Sequence, residues 1–398
     1  MKKYKIQTGD WKITDNERKA INNVLDSGRI SEGKYCEKFE NKYAKFIGTK
    51  YCSVTNSGTS SLIVGMRAMN NLYKNNGEIA TTPFTYIATI NSMLLTDNEP
   101  SFIDIEPETM GMCPEALKIR LEENPDIKAI APVHIMGIPC KIDKIKKIAN
   151  KYKIPVIEDN CQSYGSKYKG KMLGSYGLFS TSSFFIAHNL QVSEMGAINT
   201  NNRDMRRVID KLKSNGRTSK YDTNKEYFFK NKVYKDKNDL HQRYFHDMIS
   251  GNYRAQEFSA SLGYEQLKEI KTLIKKRNDN VKYLNENLEE VSDVLKLPKY
   301  DKDIAYLGYP IIINKPEVIS RASIRDKVEK AGIETRPMYG NLPIDMPSLK
   351  DFKKDCENKM PNADHIGRNA WYIGCHQYLK REDLDYIIKT IKKIIVKG

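Results

Sequence analysis

Between residues 50 and 200 the chain alternates short apolar runs with stretches of helical periodicity, and nothing else in it constrains the fold as strongly. Tyr51–Thr55, Glu78–Thr82, Ser101–Ile105, Ala129–Val133 and Pro155–Glu158 read as buried strands. The segments after Gly58, around Pro114–Glu122 and around Ile142–Tyr152 repeat their apolar residues at helical spacing. Strands joined through helices are covered on both faces, so the expected class is α/β, with a mixed, mostly parallel sheet flanked by helices. Ligands of such sheets gather at the carboxyl ends of the strands. The turns that follow the strands are therefore where chemistry is sought.

With 398 residues the chain can build more than one core. We expect a large α/β domain over 1–255, a long connecting helix over 256–289 and a smaller C-terminal α+β domain over 290–398. The last contains a strand at Tyr309–Ile313 and helices at Ala322–Lys330 and Asp383–Val396. Residues 218–245 are polar, rich in lysine and tyrosine and weakly periodic. A connection of that length predicts a mobile or a functional loop.

Composition narrows the function classes. No early run has signal-peptide character and no segment reaches membrane-span length, so a cytoplasmic protein with no membrane partner is expected. The seven cysteines (36, 52, 113, 140, 161, 356 and 375) are odd in number and lack C-x-x-C spacing, which predicts reduced thiols and no metal site. Histidines 134, 188, 241, 246, 365 and 376 show no ligand spacing either. Lys+Arg exceed Asp+Glu by 66 − 50 = 16. The excess is mostly lysine on helix faces with no interleaved aromatics, which speaks against nucleic acid and suits an anionic small substrate or a phosphate cofactor.

Three turns carry candidate chemistry. Asn56-Ser57-Gly58-Thr59-Ser60-Ser61 follows a strand and opens a helix, where small residues let backbone N–H groups approach a phosphate. Many turns of this composition bind nothing. Glu158-Asp159-Asn160-Cys161-Gln162 sets an acidic pair at the end of an apolar strand. Asp159 there either holds a protonated ring nitrogen or caps the next helix. Ser183 to Asn189 presents His188 in polar company, and an imidazole suits proton transfer at neutral pH. A lone histidine is, all the same, more often structural.

Five motifs then fall in one order: Asn56-Ser57-Gly58-Thr59, Pro83-Phe84-Thr85-Tyr86-Ile87-Ala88-Thr89, Glu158-Asp159-x-x-Gln162, Ser183-x-x-x-x-His188-Asn189 and Gly251-Asn252-Tyr253-Arg254. Together with Gly28-Arg29-Ile30-Ser31-Glu32-Gly33, Phe39-Glu40 and Gly332-Ile333-Glu334-Thr335-Arg336 they resemble the sugar-aminotransferase family over nearly the whole chain. The resemblance implies the aspartate-aminotransferase (type I) fold and pyridoxal 5′-phosphate or its pyridoxamine form as cofactor. It gives Gly58, Thr59 and Ser183 to the cofactor phosphate, Tyr86 to stacking on the ring, Asp159 to the ring nitrogen and Gln162 to the ring hydroxyl. It also implies a homodimer with shared sites, in which Asn252 reaches the phosphate of the neighbouring subunit.

The departure is His188, where the family's aminotransferases carry the lysine that bonds the cofactor. Imidazole cannot form that bond yet can still remove a proton. Histidine here resembles the subgroup that dehydrates a sugar nucleotide at carbon 3, and Thr335-Arg336-Pro337-Met338-Tyr339-Gly340-Asn341 resembles it too. The implied reaction uses L-glutamate to aminate the cofactor, then converts a GDP-4-keto-6-deoxy hexose or heptose to a 4-keto-3,6-dideoxy sugar for surface polysaccharide, releasing ammonia and 2-oxoglutarate. A related subgroup adds an iron–sulfur cluster, but no cysteine lies between Cys161 and Cys356 to ligate one. A second departure is Ser193-Glu194-Met195-Gly196, where the family reads Gly-Glu-Gly-Gly. Arg217, Arg336 and Asn341 are candidate substrate contacts. The rival readings are a nucleotide-sugar aminotransferase using another lysine, a catalytically silent cofactor-binding relative and a basic nucleic-acid binder.

Overall fold

The computed structural model describes residues 4–74, 76–217 and 246–397, so the expected 218–245 loop lies outside the described residues. Nine strands belong to the larger unit: β1 (Tyr51–Thr55), β2 (Glu78–Thr81), β3 (Glu99–Phe102), β4 (Ala129–Ile130), β5 (Ile157–Asp159), β6 (Lys167–Tyr168), β7 (Lys171–Met172), β8 (Phe179–Ser183) and β9 (Gly196–Thr200). β6 and β7 form a separate ribbon. The other seven make one sheet, because parallel bridges Ile130–Val156 and Val133–Asp159 join the β3-β2-β4 half to the β5-β8-β9-β1 half. Pairing is parallel from β3 through β8, and β9 runs antiparallel to both neighbours. The physical reason is the connection. Residues 184–195 return as a loop rather than through a crossover helix.

Four strands differ from expectation: the run Glu78–Thr82 ends at Thr81, Pro155–Glu158 is paired over Ile157–Asp159, and two others stop early. The run expected over Ser101–Ile105 starts at Glu99 and pairs regularly only to Phe102, after which the Ile103 amide gives a last bond to Thr81 (2.8 Å) and the chain turns away. Regular pairing expected over Ala129–Val133 stops at Ile130, close to Pro132, which has no N–H to give the ladder. Helices Gly58–Tyr73, Pro114–Glu123 and Ile142–Tyr152 form where the periodicity puts them. The strand Tyr309–Ile313 appears unchanged, and the long helix spans Glu257–Leu288.

The C-terminal sheet is antiparallel in the order β10 (Leu295–Lys296), β11 (Tyr309–Ile313), β13 (Ala370–Ile373), β12 (Thr335–Pro337). Its core joins Tyr309, Ile311 and Trp371 to Val281 and Leu284 of the long helix and Ile387 of the helix Arg381–Lys397. Ile6, from the other end of the chain, closes this core by exchanging backbone bonds with Gly332 and Glu334 (3.0 and 2.8 Å). A second apolar cluster packs Phe84 and Ile90 of the larger unit against Met338, Leu342 and Ile366. The loop after β12 is thereby seated beside the carboxyl end of the main sheet. No helix among the described residues is long and apolar enough to cross a membrane.

Candidate active site

The first turn is closed by packing as well as by hydrogen bonds. Ser57 caps the helix Gly58–Tyr73 by accepting from the Ser60 amide (3.1 Å), and its carbonyl takes the Ser61 amide (3.0 Å). Gly58 and Thr59 stand at the start of the helix, where amides have no intrahelical acceptor and the helix dipole favours an anion. A Cβ on Gly58 would lie 2.6 Å from Ser183 Cβ and 3.4 Å from Cys161 Sγ. The carboxyl ends of β1, β5 and β8 thus converge on one glycine. On β9 a Cβ at Gly196 would meet the Ser57 carbonyl at 2.3 Å, so this glycine lets the turn approach the sheet.

The acidic pair is divided by the pleat, since successive strand residues face opposite sides. Glu158 is buried and accepts from the amides of Gly174 (2.8 Å), Tyr176 (2.5 Å) and Gly177 (2.7 Å), with His134 Nε2 at 3.5 Å. That carboxylate is spent on holding a loop. Asp159 accepts from the Thr89 hydroxyl (2.7 Å) and the Cys161 amide (3.2 Å), and no cation pairs with it among the described residues. It does not cap a helix, because the chain turns directly after it. It is a buried carboxyl group with hydrogen-bonding capacity to spare.

Gln162 is fixed by its two ends. Its Oε1 accepts from the Met136 amide (3.0 Å) and its Nε2 donates to the Tyr339 hydroxyl. Met136 adopts a left-handed conformation (φ 55°), uncommon for a bulky residue, to present that amide. The Tyr86 ring is 59 % exposed and therefore no core aromatic; it lies 6.3 Å from the Tyr339 ring. Thr89 and Tyr339 hold Asp159 and Gln162, and neither stood out in the sequence as a site residue. The signal for Thr89 was its i, i+4 spacing from Thr85, whose hydroxyl it meets at 3.0 Å.

His188 is half-buried, with Nδ1 2.8 Å from the Ser183 carbonyl. A carbonyl only accepts, so Nδ1 carries the hydrogen and Nε2 keeps its lone pair. Burial pulls the imidazole down to about 4, helped by the positive charge of Arg277 and resisted by the Ser183 carbonyl and Asp159. The ring is neutral at physiological pH and competent as a base. Its loop is moored on every side: Phe184 packs edge-on against Phe39 and Tyr43 (both 5.1 Å), the Leu190 amide donates to Tyr164 (2.8 Å), and Asn189 donates to the Ala305 carbonyl (3.3 Å). In the departing Ser193-Glu194-Met195 segment, Ser193 takes φ +80° and Met195 fills the aromatic core. A left-handed non-glycine residue costs about 1–2 kcal/mol, which that burial offsets.

The remaining candidates are placed differently. Asn252 is exposed, its Oδ1 accepting from Arg254 Nε (3.0 Å), and its neighbour Tyr253 takes the Asn56 amide (2.8 Å) beside the first turn. Arg217 is bridged to His246. Arg336 is exposed and paired with Glu334 (2.7 Å). Asn341 is 2 % exposed and donates to Asp364 (3.0 Å), while its Oδ1 has no partner among the described residues. Two lysines are buried among the described residues. Lys211 meets Asp247 (2.6 Å), and Lys213 meets Glu32 (2.5 Å) and Glu40 (3.2 Å). Burial lowers the Lys213 pKa, but Glu40, Glu32 and Asp210 outweigh it and hold the ammonium well above its usual value.

A sequence profile of the DegT/DnrJ/EryC1/StrS aminotransferase family matches residues 12–392. GDP-4-keto-6-deoxy-D-mannose 3-dehydratase of Escherichia coli O55:H7 is 28% identical over 98% of this chain and 99% of its own. GDP-perosamine synthase of Escherichia coli O157:H7 is 27% identical over 96% of each. Among solved structures, the E. coli GDP-4-keto-6-deoxy-D-mannose-3-dehydratase with bound hydrated PLP superposes with a TM-score of 0.86 at 25% identity, covering 98% of this chain and 99% of that one.

Proposed function

The chain belongs to the DegT/DnrJ/EryC1/StrS aminotransferase family, and on that premise we propose that it is a pyridoxal-phosphate- and L-glutamate-dependent 3-dehydratase of a GDP-4-keto-6-deoxy sugar. The residues present fit the cofactor. Asp159 is a buried carboxyl group with no cation beside it among the described residues, as pairing with a protonated ring nitrogen requires, and Gly58 leaves the space that a phosphate cradle needs. Gly58, Thr59 and Ser183 would hold the phosphate, Gln162 the ring hydroxyl and Tyr86 the ring face. When bound, the cofactor supplies an electron sink that makes an adjacent carbon acidic.

A neutral imidazole at position 188, tautomerically fixed with its lone pair on Nε2, carries the reading. It can move a proton but cannot tether the cofactor as an amine would. With the cofactor in place Asp159 would favour a protonated ring nitrogen through its charge, and the Ser183 carbonyl keeps the imidazole in register. Asn252, exposed beside the first turn, is proposed to reach the neighbouring subunit's phosphate in a homodimer. The likeness to GDP-perosamine synthase favours a second reading, transamination. Against it stand Lys211 and Lys213, whose ammonium groups are held by carboxylates and so are the reverse of a nucleophilic amine.

The test is product analysis with pyridoxal phosphate, L-glutamate and GDP-4-keto-6-deoxy-D-mannose. The dehydratase releases ammonia and 2-oxoglutarate and yields a deoxygenated sugar. An aminated sugar without ammonia would favour the transaminase. Borohydride trapping of a lysine–cofactor adduct would do the same.

A further inference from the structure

We propose that Tyr339 is the acid of this site, protonating the hydroxyl that leaves sugar carbon 3 while His188 acts as the base; the inference rests on the dehydratase reading. Dehydration needs both a base and an acid, and the argument for the acid starts from the amide of Gln162. Its Oε1 is committed to the Met136 amide, so the end that faces Tyr339 is the NH2 donor. The phenol oxygen therefore accepts, and its own proton has no acceptor among the described residues. That proton is free for a bound ligand. The ring is held by Phe84 (6.0 Å, edge-on) and Tyr86 (6.3 Å), the second being the exposed ring assigned to the cofactor face. The acid would thus come from the loop after β12 and the base from the loop after β8.

The surroundings separate the two groups in the required sense. Tyr339 is influenced by burial, Tyr372, Gln162, Asp159 and Tyr86, and burial with Tyr372 and Asp159 holds the phenol above its usual value, so it keeps its proton at neutral pH. His188, with Arg277 and Asp159 as its charged neighbours, is held below its usual value. Two titratable groups pushed apart in this way are the pattern of an acid–base pair. In the balanced step, Nε2 takes a proton from carbon and the freed electron pair forms the new double bond. The C3–O pair leaves on oxygen, which gains the phenolic proton and departs as water. Imidazolium then reprotonates the phenolate, so both residues return to their starting state with no oxidant or reductant.

The variant Tyr339→Phe tests this on the enzyme loaded with pyridoxamine phosphate and given GDP-4-keto-6-deoxy-D-mannose. We expect cofactor affinity to stay within about threefold and dehydration to fall by about 10²–10⁴. Solvent deuterium should still exchange into the cofactor methylene, since His188 remains. Dehydration at the wild-type rate, or exchange lost in step with dehydration, would overturn the proposal. In the cofactor-free protein, the ultraviolet difference between wild type and Y339F should show no phenolate below about pH 10; ionisation near neutrality would also overturn it. Should Y339F not fold, Tyr339→His keeps a ring and a dissociable proton and should dehydrate with a new alkaline limb near about pH 6.5; an unchanged pH profile counts against the acid. If the wild type only aminates its substrate, the dehydratase reading itself fails; if the wild type dehydrates and Y339F keeps pace, only this inference does.

Discussion

Two groups of buried titratable side chains in the larger unit are built on opposite plans. In the first, Glu40 accepts from Arg206 (2.8 Å), Lys213 (3.2 Å) and the Val54 amide (3.0 Å), while Asp210 takes Arg206 Nε (2.9 Å) and the Ser53 hydroxyl (2.8 Å). Each charge meets an opposite one, and the knot ties helices Lys34–Ile47 and Arg203–Leu212 to the strand. In the second, Asp159 has a hydroxyl and an amide, and His188 has one carbonyl. Closed pairing makes a brace, whereas unspent hydrogen-bonding capacity is what the proposed binding site requires. The comparison teaches that buried charge here is read by what it lacks.

The sharpest way to test the contrast is His188→Asn. Dehydration should fall by about 10²–10⁴ while pyridoxal phosphate still binds, as followed by cofactor absorbance and ammonia release. Wild-type turnover would remove His188 as the base. Next, Glu40→Gln should cost about 3–5 kcal/mol in urea unfolding, because it strips two buried cations of a partner. A cost under about 1 kcal/mol would break the description of that cluster as a brace. By contrast, Asp159→Asn should leave the cofactor-free protein within about 1 kcal/mol of wild type, since no ion pair among the described residues is lost, yet weaken cofactor-dependent turnover. Destabilisation as large as that of Glu40→Gln would erase the distinction.

The smallest effects lie in pH. Folded His188 protonates only at about 4, so as pH falls from about 6.5 the unfolded chain binds its proton first. Stability should decline between those values, and His188→Asn should flatten that part of the urea-midpoint profile. Glu40 is opposed by burial but drawn down to about 2 by Lys213 and Arg206, so its contribution holds above pH 4.5 and is lost as pH falls toward 2. Glu40→Gln should remove this lower limb and spare the upper one. Overlapping limbs would mean that the two groups are coupled.

Much of the candidate site was legible because its turns are local. Gly58 at a helix start, Asp159 at a strand end and His188 after β8 each follow from a few residues of pattern. Tyr339 was not legible as a partner of Gln162, because 177 residues separate them. Nor did the sequence indicate that Asn341 would be buried against Asp364, since both lie in loops and helices seated by the apolar cluster around Met338 and Ile366.

By itself the sequence determined the alternation of strands and helices, the order of the turns and the imidazole at position 188, because backbone periodicity is set within a few residues. Only the tertiary structure decided which nitrogen of that imidazole carries hydrogen, which acid of the pair Glu158 and Asp159 remains available, and which phenol stands over Gln162. Those outcomes depend on where a carbonyl, an amide and a distant loop arrive together, and long-range packing alone brings them there.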